Sequence, residues 1–376
     1  MTKTFDTIES VAGEIGSKLR SDSDKKKIVL LYAFNGVGKT RLSTTMHDAL
    51  ESKDDQVTTN TLSYNAFFED LFTWDNDEYL LNFNSKSNII TFISDQGLEN
   101  QITDNFQILT RSKIYPSYDL DSGHIAFNFA PGDDRSESNI KISRGEESLF
   151  VWSVFFTVLE AAILALGAKE EDRETELFNG LEYVIIDDPV SSIDDTKIIT
   201  MVLELLKLID SHEGNSINFL ITTHHALFFN ILYSEYSRNP KVKLFPFLLS
   251  KHATDFSLDE QNDSPFAYHL AIKDEIQRAL DSQDLKKYHF NLFRGLLEKT
   301  ANFLGYRSWG DCLDGEDKRE IMRLVNLYSH GRLSDLESTH FPDEHKDTFR
   351  KVFESFVERW KPLATVPQVT VLGNDN

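Results

Sequence analysis

The chain has 376 residues, a net charge of −22, 40% hydrophobic residues and a single cysteine, Cys312. One thiol excludes an internal disulfide and a cysteine-based zinc site. No secretory-type leader pattern opens the chain, so a cytoplasmic protein with room for two domains is expected. A uniformly acidic surface would repel nucleic acid, because polyanion binding runs on phosphate neutralisation.

Ile8, Val11, Ile15 and Leu19 recur at helical spacing and mark a first helix. After a polar break at 21–27, Ile28–Tyr32 is a continuous apolar, partly β-branched run, the pattern of a buried parallel strand. It leads directly into Ala33-Phe-Asn-Gly-Val-Gly-Lys-Thr40, a P-loop pattern with Ala33 in place of the first glycine. Glycines let such a loop curl so that backbone N–H groups face phosphate oxygens, while the lysine meets the terminal phosphates and the hydroxyl serves magnesium. The residues expected to hold nucleotide here are Asn35, Gly36, Val37, Gly38, Lys39, Thr40 and Arg41. Farther on, Tyr64–Asp77 interleaves aromatics with acids, which suits either packing on a sheet or a surface for a regulator or second nucleotide.

Ile142-Ser-Arg-Gly-Glu-Glu-Ser148 opens a long apolar run, and Ser143, Gly145 and Glu146 form a candidate anion site at a helix N-terminus. The run itself, Leu149–Ala168, is long enough to cross a bilayer, but Glu160 sits at its centre, so a buried core helix and no membrane segment is expected. Residues 180–186 form a second buried strand ending in two acids. Asp187 is placed to hold magnesium and Asp188 to polarise an attacking water. Ile198, Val202, Leu205, Leu206 and Ile209 share a helix face, and a third strand at 216–221 runs into Thr222-Thr-His-His225, where His224 can touch a γ-phosphate. Alternating strands and helices of this kind define an α/β fold around a largely parallel sheet.

The four motifs resemble the ATP-binding cassette fold as used by SMC and Rad50-like ATPases. That resemblance implies two P-loop lobes dimerising head to tail, the signature loop of one completing the nucleotide site of the other. No heptad pattern lies between Thr40 and Ser143, so a compact lobe is expected, and no glutamine marks the usual Q-loop contact.

The acidity is unevenly spread: residues 266–376 carry 16 basic and 18 acidic side chains, so almost all of the negative charge lies before them. Within Leu285–Gly310, Lys286, Lys287, Arg294, Lys299 and Arg307 meet one acid, Glu298, and alternate with Tyr288, Phe290, Phe293, Phe303, Tyr306 and Trp309. Cations interleaved with aromatics suit single-stranded RNA, although most such rings in a folded chain belong to the core. Phe293, Leu296, Leu297, Thr300 and Leu304 form one helical stripe, and Arg294 and Glu298 lie together beside it at i,i+4. From spacing alone they are an ordinary helix-stabilising pair.

AFNGVGKTRLS, YNAFFEDLFTWDND, ISRGEESLFVWSVFF, IDDPVSSIDD and FLITTHHALFFNIL together resemble the PrrC-type anticodon nucleases, which cleave tRNA in phage-infected bacteria. The similarity continues through 266–306 and Arg323–Ser334, covering nearly the whole chain. It implies an ABC-type P-loop NTPase lobe, residues 1–258, as regulatory domain, and a mainly helical nuclease domain, residues 259–376. It assigns Arg294, Glu298 and His330 to RNA cleavage, and Asp188 and His224 to nucleotide hydrolysis. Magnesium with ATP or GTP would be held by Thr40 and Asp187, and dTTP is a family effector. The implied partners are a tRNA anticodon stem-loop, a silencing type I restriction-modification enzyme, and a second copy of the chain or a higher homo-oligomer. Cleavage would need no metal, leaving a 2′,3′-cyclic phosphate and a 5′-hydroxyl, with Glu298 and His330 sharing the base and acid roles in either order. The contrasting expectation is an ATPase switch whose C-terminal module binds a separate effector or nucleic acid without cutting.

Overall fold

The computed structural model describes residues 2–51, 59–85, 87–120, 122–129, 139–173, 175–190, 193–211, 217–251, 255–261, 268–313, 318–329 and 342–359. It divides into two compact units, 1–266 and 267–376.

The first unit runs β1 (Thr2–Phe5), α1 (Ile8–Leu19), β2 (Lys26–Ala33), α2 (Lys39–Leu50), β3 (Thr61–Tyr64), α3 (Ala66–Glu69), β4 (Phe72–Asp75), β5 (Leu80–Phe83), α4 (Asn88–Gln96), α5 (Glu99–Thr110), β6 (Ile114–Asp119) and β7 (His124–Phe129). It continues through α6 (Arg144–Gly167), β8 (Tyr183–Asp187), α7 (Asp195–Ser211), β9 (Asn218–Thr223), α8 (Ala226–Tyr236), β10 (Val242–Lys251) and β11 (Phe256–Glu260). A seven-stranded sheet has the order β1-β11-β10-β2-β9-β8-β3. Its five strands from β10 to β3 are parallel, and β11 and β1 add antiparallel at one edge. The apolar runs of β2, β8 and β9 are buried throughout, which is why they read as continuous rather than alternating. The P-loop strand β2 is separated from the acid-bearing strand β8 by β9, so the C-terminal ends of all three open on one edge of the sheet. This is an ABC-type P-loop lobe.

A second sheet, antiparallel and ordered β4-β5-β7-β6, was not expected from the sequence. It explains the long apolar helix. Phe150 of α6 packs against Phe72, Phe127 and Phe106, with centroids 6.4, 5.2 and 5.6 Å away, on the side of the small sheet. Trp152 and Phe155 meet Tyr64 of β3 at 5.2 and 5.3 Å. A helix gripped on several sides must be apolar almost all round, and α6 is a core helix. Glu160 accepts hydrogen bonds from Asn105 Nδ2 at 2.7 Å and Gln101 Nε2 at 3.2 Å, which satisfies a carboxyl whose pKa burial raises.

The second unit contains α9 (Tyr268–Asp281), α10 (Lys287–Leu304), α11 (Lys318–Ser329) and α12 (Asp343–Arg359). Phe293 of α10 meets Phe349, Phe353 and Phe356 of α12 at 5.3, 5.5 and 5.6 Å, and these rings form the centre of its core. The boundary expected after residue 258 falls inside β11, whose Leu258 and Asp259 pair with β10 and β1. The chain completes its sheet before the second unit begins, so the division moves to 266/267.

Candidate functional site

The loop after β2 is shaped for phosphate. Gly36 (φ +82°) and Gly38 (φ +115°) lie in the left-handed region, and a Cβ added to either would meet nothing within 4 Å. Gly38 also caps α2 without a side-chain hydrogen bond, so the positive end of the helix dipole faces open space. Val37 is buried, anchoring the loop from below. Lys39 is buried, and its Nζ donates to Ala33 O at 3.1 Å and Asn35 Oδ1 at 3.2 Å. The same nitrogen pairs with Asp188 Oδ2 at 3.2 Å. Arg41 is exposed and bonds Glu9 Oε1 at 2.6 Å, turned toward the start of α1.

Asp187 ends β8 as a buried carboxyl and accepts from Thr222 Oγ1, across on β9, at 2.6 Å. Burial pushes its pKa up, against hydrogen bonds from the hydroxyls of Thr222, Thr40 and Ser43. Asp188 takes a left-handed turn (φ +50°) directly after the strand. His224 Nδ1 sits 2.7 Å from each of its oxygens, and the His224 backbone N–H donates to Oδ1 at 3.1 Å. Burial alone would raise the Asp188 pKa, but the His224 hydrogen bond and the Lys39 charge outweigh it and hold the carboxyl below the usual aspartate range. Two adjacent carboxyls are thus driven apart in acidity, the arrangement an acid–base site uses.

A nucleotide with magnesium fits these residues. The open cradle over Gly36 and Gly38 and the buried Lys39 suit a polyphosphate, and the Thr40 hydroxyl and Asp187 are hard oxygen donors suited to magnesium. Sequence reasoning missed Thr222, which orients Asp187, and Glu69, which accepts from Tyr64 Oη at 2.8 Å and whose pKa burial raises, with repulsion from Asp187 and Asp188 adding to it. At the start of α6, Ser143 and Glu146 form a capping box: Ser143 N and Oγ donate to Glu146 Oε2 at 2.8 and 2.7 Å, and Glu146 N donates to Ser143 Oγ at 3.3 Å. Gly145 lies in the first turn between them.

In the second unit, Arg294 Nε bonds Glu298 Oε1 at 2.7 Å on the partly exposed face of α10. His330 lies outside the described residues. Tyr328, near the end of α11, packs its ring 4.8 Å from that of Phe290, one turn before Arg294. Nearby, Glu275 on α9 is buried among donors: Tyr288 Oη at 2.8 Å and Arg278 Nη2 at 3.2 Å. Buried His289 accepts from the Lys286 backbone N–H at 2.8 Å, closing the start of α10 as a capping glutamate would. The sequence had not marked this network. Among the described residues no group of three or more His, Cys, Asp or Glu side chains is arranged to hold a metal ion.

A family model described as an AAA domain matches residues 132–358. The anticodon nuclease of Escherichia coli is 37% identical over 355 residues, covering 89% of this chain and 89% of its own. Among solved structures, the SMC head bound to the C-winged helix domain of ScpA covers 64% of this chain and 91% of its own, with 9% identity and a TM-score of 0.36. The SMC head domain from Thermotoga maritima has the same coverages, 12% identity and a TM-score of 0.32. Both scores are low, and the fold assignment rests instead on the strand order and P-loop geometry. The chain, carrying an AAA-type ATPase domain, belongs to the anticodon nuclease family.

Proposed function

We propose that this protein is a nucleotide-regulated endoribonuclease that cuts a tRNA, of the lysine type by family, in its anticodon loop near the wobble base. The observation that carries the reading is the 2.7 Å Arg294–Glu298 pair on an accessible helix face of a chain aligned along 89% of its length with an anticodon nuclease. Arg294 presents a planar fork of donors to the crowded phosphorane, and its ion pair keeps Glu298 close to the same phosphate. Glu298 and His330 divide the remaining work: one removes the 2′-OH proton, the other protonates the leaving 5′-oxygen. Bond formation by the 2′-oxygen and loss of the 5′-oxygen leave a 2′,3′-cyclic phosphate and a 5′-hydroxyl, with no metal required.

The first unit acts as the switch. Magnesium with ATP or GTP supplies phosphates and charge to the cradle, where Gly36–Thr40 bind, Asp187 orients, and Asp188 with His224 activates water. Ser143, Gly145 and Glu146 would complete the nucleotide site of a second copy, making a homodimer the active form. A dTTP effector, a silencing type I restriction-modification enzyme, a cytoplasmic setting and a role as an antiviral toxin are proposed with it, on the family resemblance. The test incubates purified protein with total bacterial tRNA and magnesium with ATP or GTP, and types the new ends. Cyclic-phosphate breaks in the anticodon loop, lost in Arg294→Ala, are expected; intact tRNA with every nucleotide tried would favour a switch that binds without cutting.

A further inference from the structure

Of the six aromatic rings interleaved with cations in 285–310, the structure buries Phe290 and Phe293 completely and half-buries Tyr288 and Trp309. Phe303 is the opposite case. At 89% exposure it is the most exposed large apolar side chain among the described residues. It falls outside the buried stripe of Phe293, Leu297 and Ala301, and Lys299, also exposed, lies four residues before it on the same face. Gly305 (φ +71°) then ends the helix, with Tyr306 N donating to Ala301 O at 2.9 Å. That turn brings exposed Tyr306 and Arg307 beside the helix end. No acidic residue occurs from Lys299 to Gly310.

Single exposed apolar residues are common and need no explanation by themselves. Here the ring is flat, almost fully uncovered, and flanked by two exposed cations in a stretch without carboxylates, inside a C-terminal part whose charges nearly balance. A protein partner with an apolar patch would not need the cations, and a phosphate ligand would not need the ring. An unpaired base joined to a phosphate needs both. We propose that Phe303 is a stacking platform for an unpaired base of the RNA substrate, with Lys299 and Arg307 meeting the adjoining phosphates. This deepens the reading of the second unit as an RNA-cutting module and rests on it.

The test uses the full chain carrying His330→Ala, so that RNA stays whole, and a synthetic anticodon stem-loop with the anticodon UUU. Phe303→Ala should weaken binding roughly 5- to 150-fold while the salt dependence of binding stays the same, because stacking releases no counterions. Phe303→Trp should restore affinity. Lys299→Ala and Arg307→Ala should instead each lower the salt slope by about one. The exposed ring supports no core, so melting temperatures should not move. Unchanged affinity in Phe303→Ala overturns the proposal while leaving the nuclease reading standing. A changed oligomeric state with unchanged RNA affinity also overturns it and makes Phe303 a contact between copies. No binding by the parent chain removes the nuclease reading as well.

Discussion

Lys39 Nζ lies 3.2 Å from Asp188 Oδ2, so the lysine of the phosphate loop and the acid after β8 neutralise each other across the mouth of the sheet. His224 Nδ1 lies 2.7 Å from both oxygens of the same carboxylate. Asp188 is therefore a shared acceptor, and a phosphate that draws Lys39 toward itself leaves it bonded to His224 alone. The expected consequence is a split between binding and turnover. Asp188→Asn and His224→Ala should lower nucleotide hydrolysis by about 10²–10⁴-fold with nucleotide affinity close to wild type. Parallel measurement of phosphate release and equilibrium binding checks this; equal losses in both would contradict it.

Arg294 and Glu298 separate stability from chemistry. An exposed i,i+4 ion pair contributes only about 0.3–0.5 kcal/mol, so Arg294→Lys should leave the melting temperature unchanged. The same change loses the planar fork and should reduce tRNA cutting by about 10²–10³-fold. A melting shift of several degrees with cutting retained would return the pair to an ordinary helix brace.

Glu275 gives the second unit a pH dependence. Burial pushes its pKa up, but His289, Tyr288 and Arg278 more than offset this and hold it below the ordinary glutamate value. A carboxylate with a lowered folded pKa contributes its full stability above the unfolded value and loses it as pH falls through the folded one. Glu275→Gln should therefore destabilise by about 1–3 kcal/mol at neutral pH. Thermal melts of the two proteins should converge in acid, below the lowered value; a constant gap at every pH would rule out the ionised carboxylate as the cause.

Phe150 tests the junction of the two sheets. Its ring contacts residues of β4, α5 and β7, and truncation opens a cavity that α6 cannot collapse into. Phe150→Ala should cost about 3–5 kcal/mol by denaturant unfolding. A cost under about 1 kcal/mol would show that the small sheet moves independently of α6.

The motif-bearing parts of this fold were legible because their chemistry is local. The P-loop, Asp187, Asp188 and His224 each sit within a few residues of a buried strand end, and β2, β8 and β9 formed where their apolar runs lie. What stayed hidden depends on partners distant in sequence. The strands β4 and β5 are four residues long and alternate too briefly to register, so Tyr64–Asp77 gave no sign of passing from β3 through a single helical turn into a second sheet. The edge formed by β1 and β11 joins the two ends of the first unit, a pairing between residues far apart in sequence, so the boundary implied at 258 falls inside β11. Glu275 and His289 read as ordinary polar helix positions and Tyr288 as one ring of the aromatic and basic pattern, because only the packing of α9 on α10 brings the buried Glu275 and His289 together with the half-buried Tyr288.

The most direct measurement compares wild type with Glu298→Gln in bacteria, extracting total tRNA and mapping broken 3′ ends with chemistry that captures cyclic phosphates. Discrete anticodon-loop breaks in cells expressing wild type, absent with Glu298→Gln at equal protein level, are the predicted result. Breaks that persist in the variant, or tRNA left intact by wild type even in cells lacking type I restriction-modification enzymes and with the nucleotide pool altered, would contradict an anticodon nuclease built on Arg294 and Glu298.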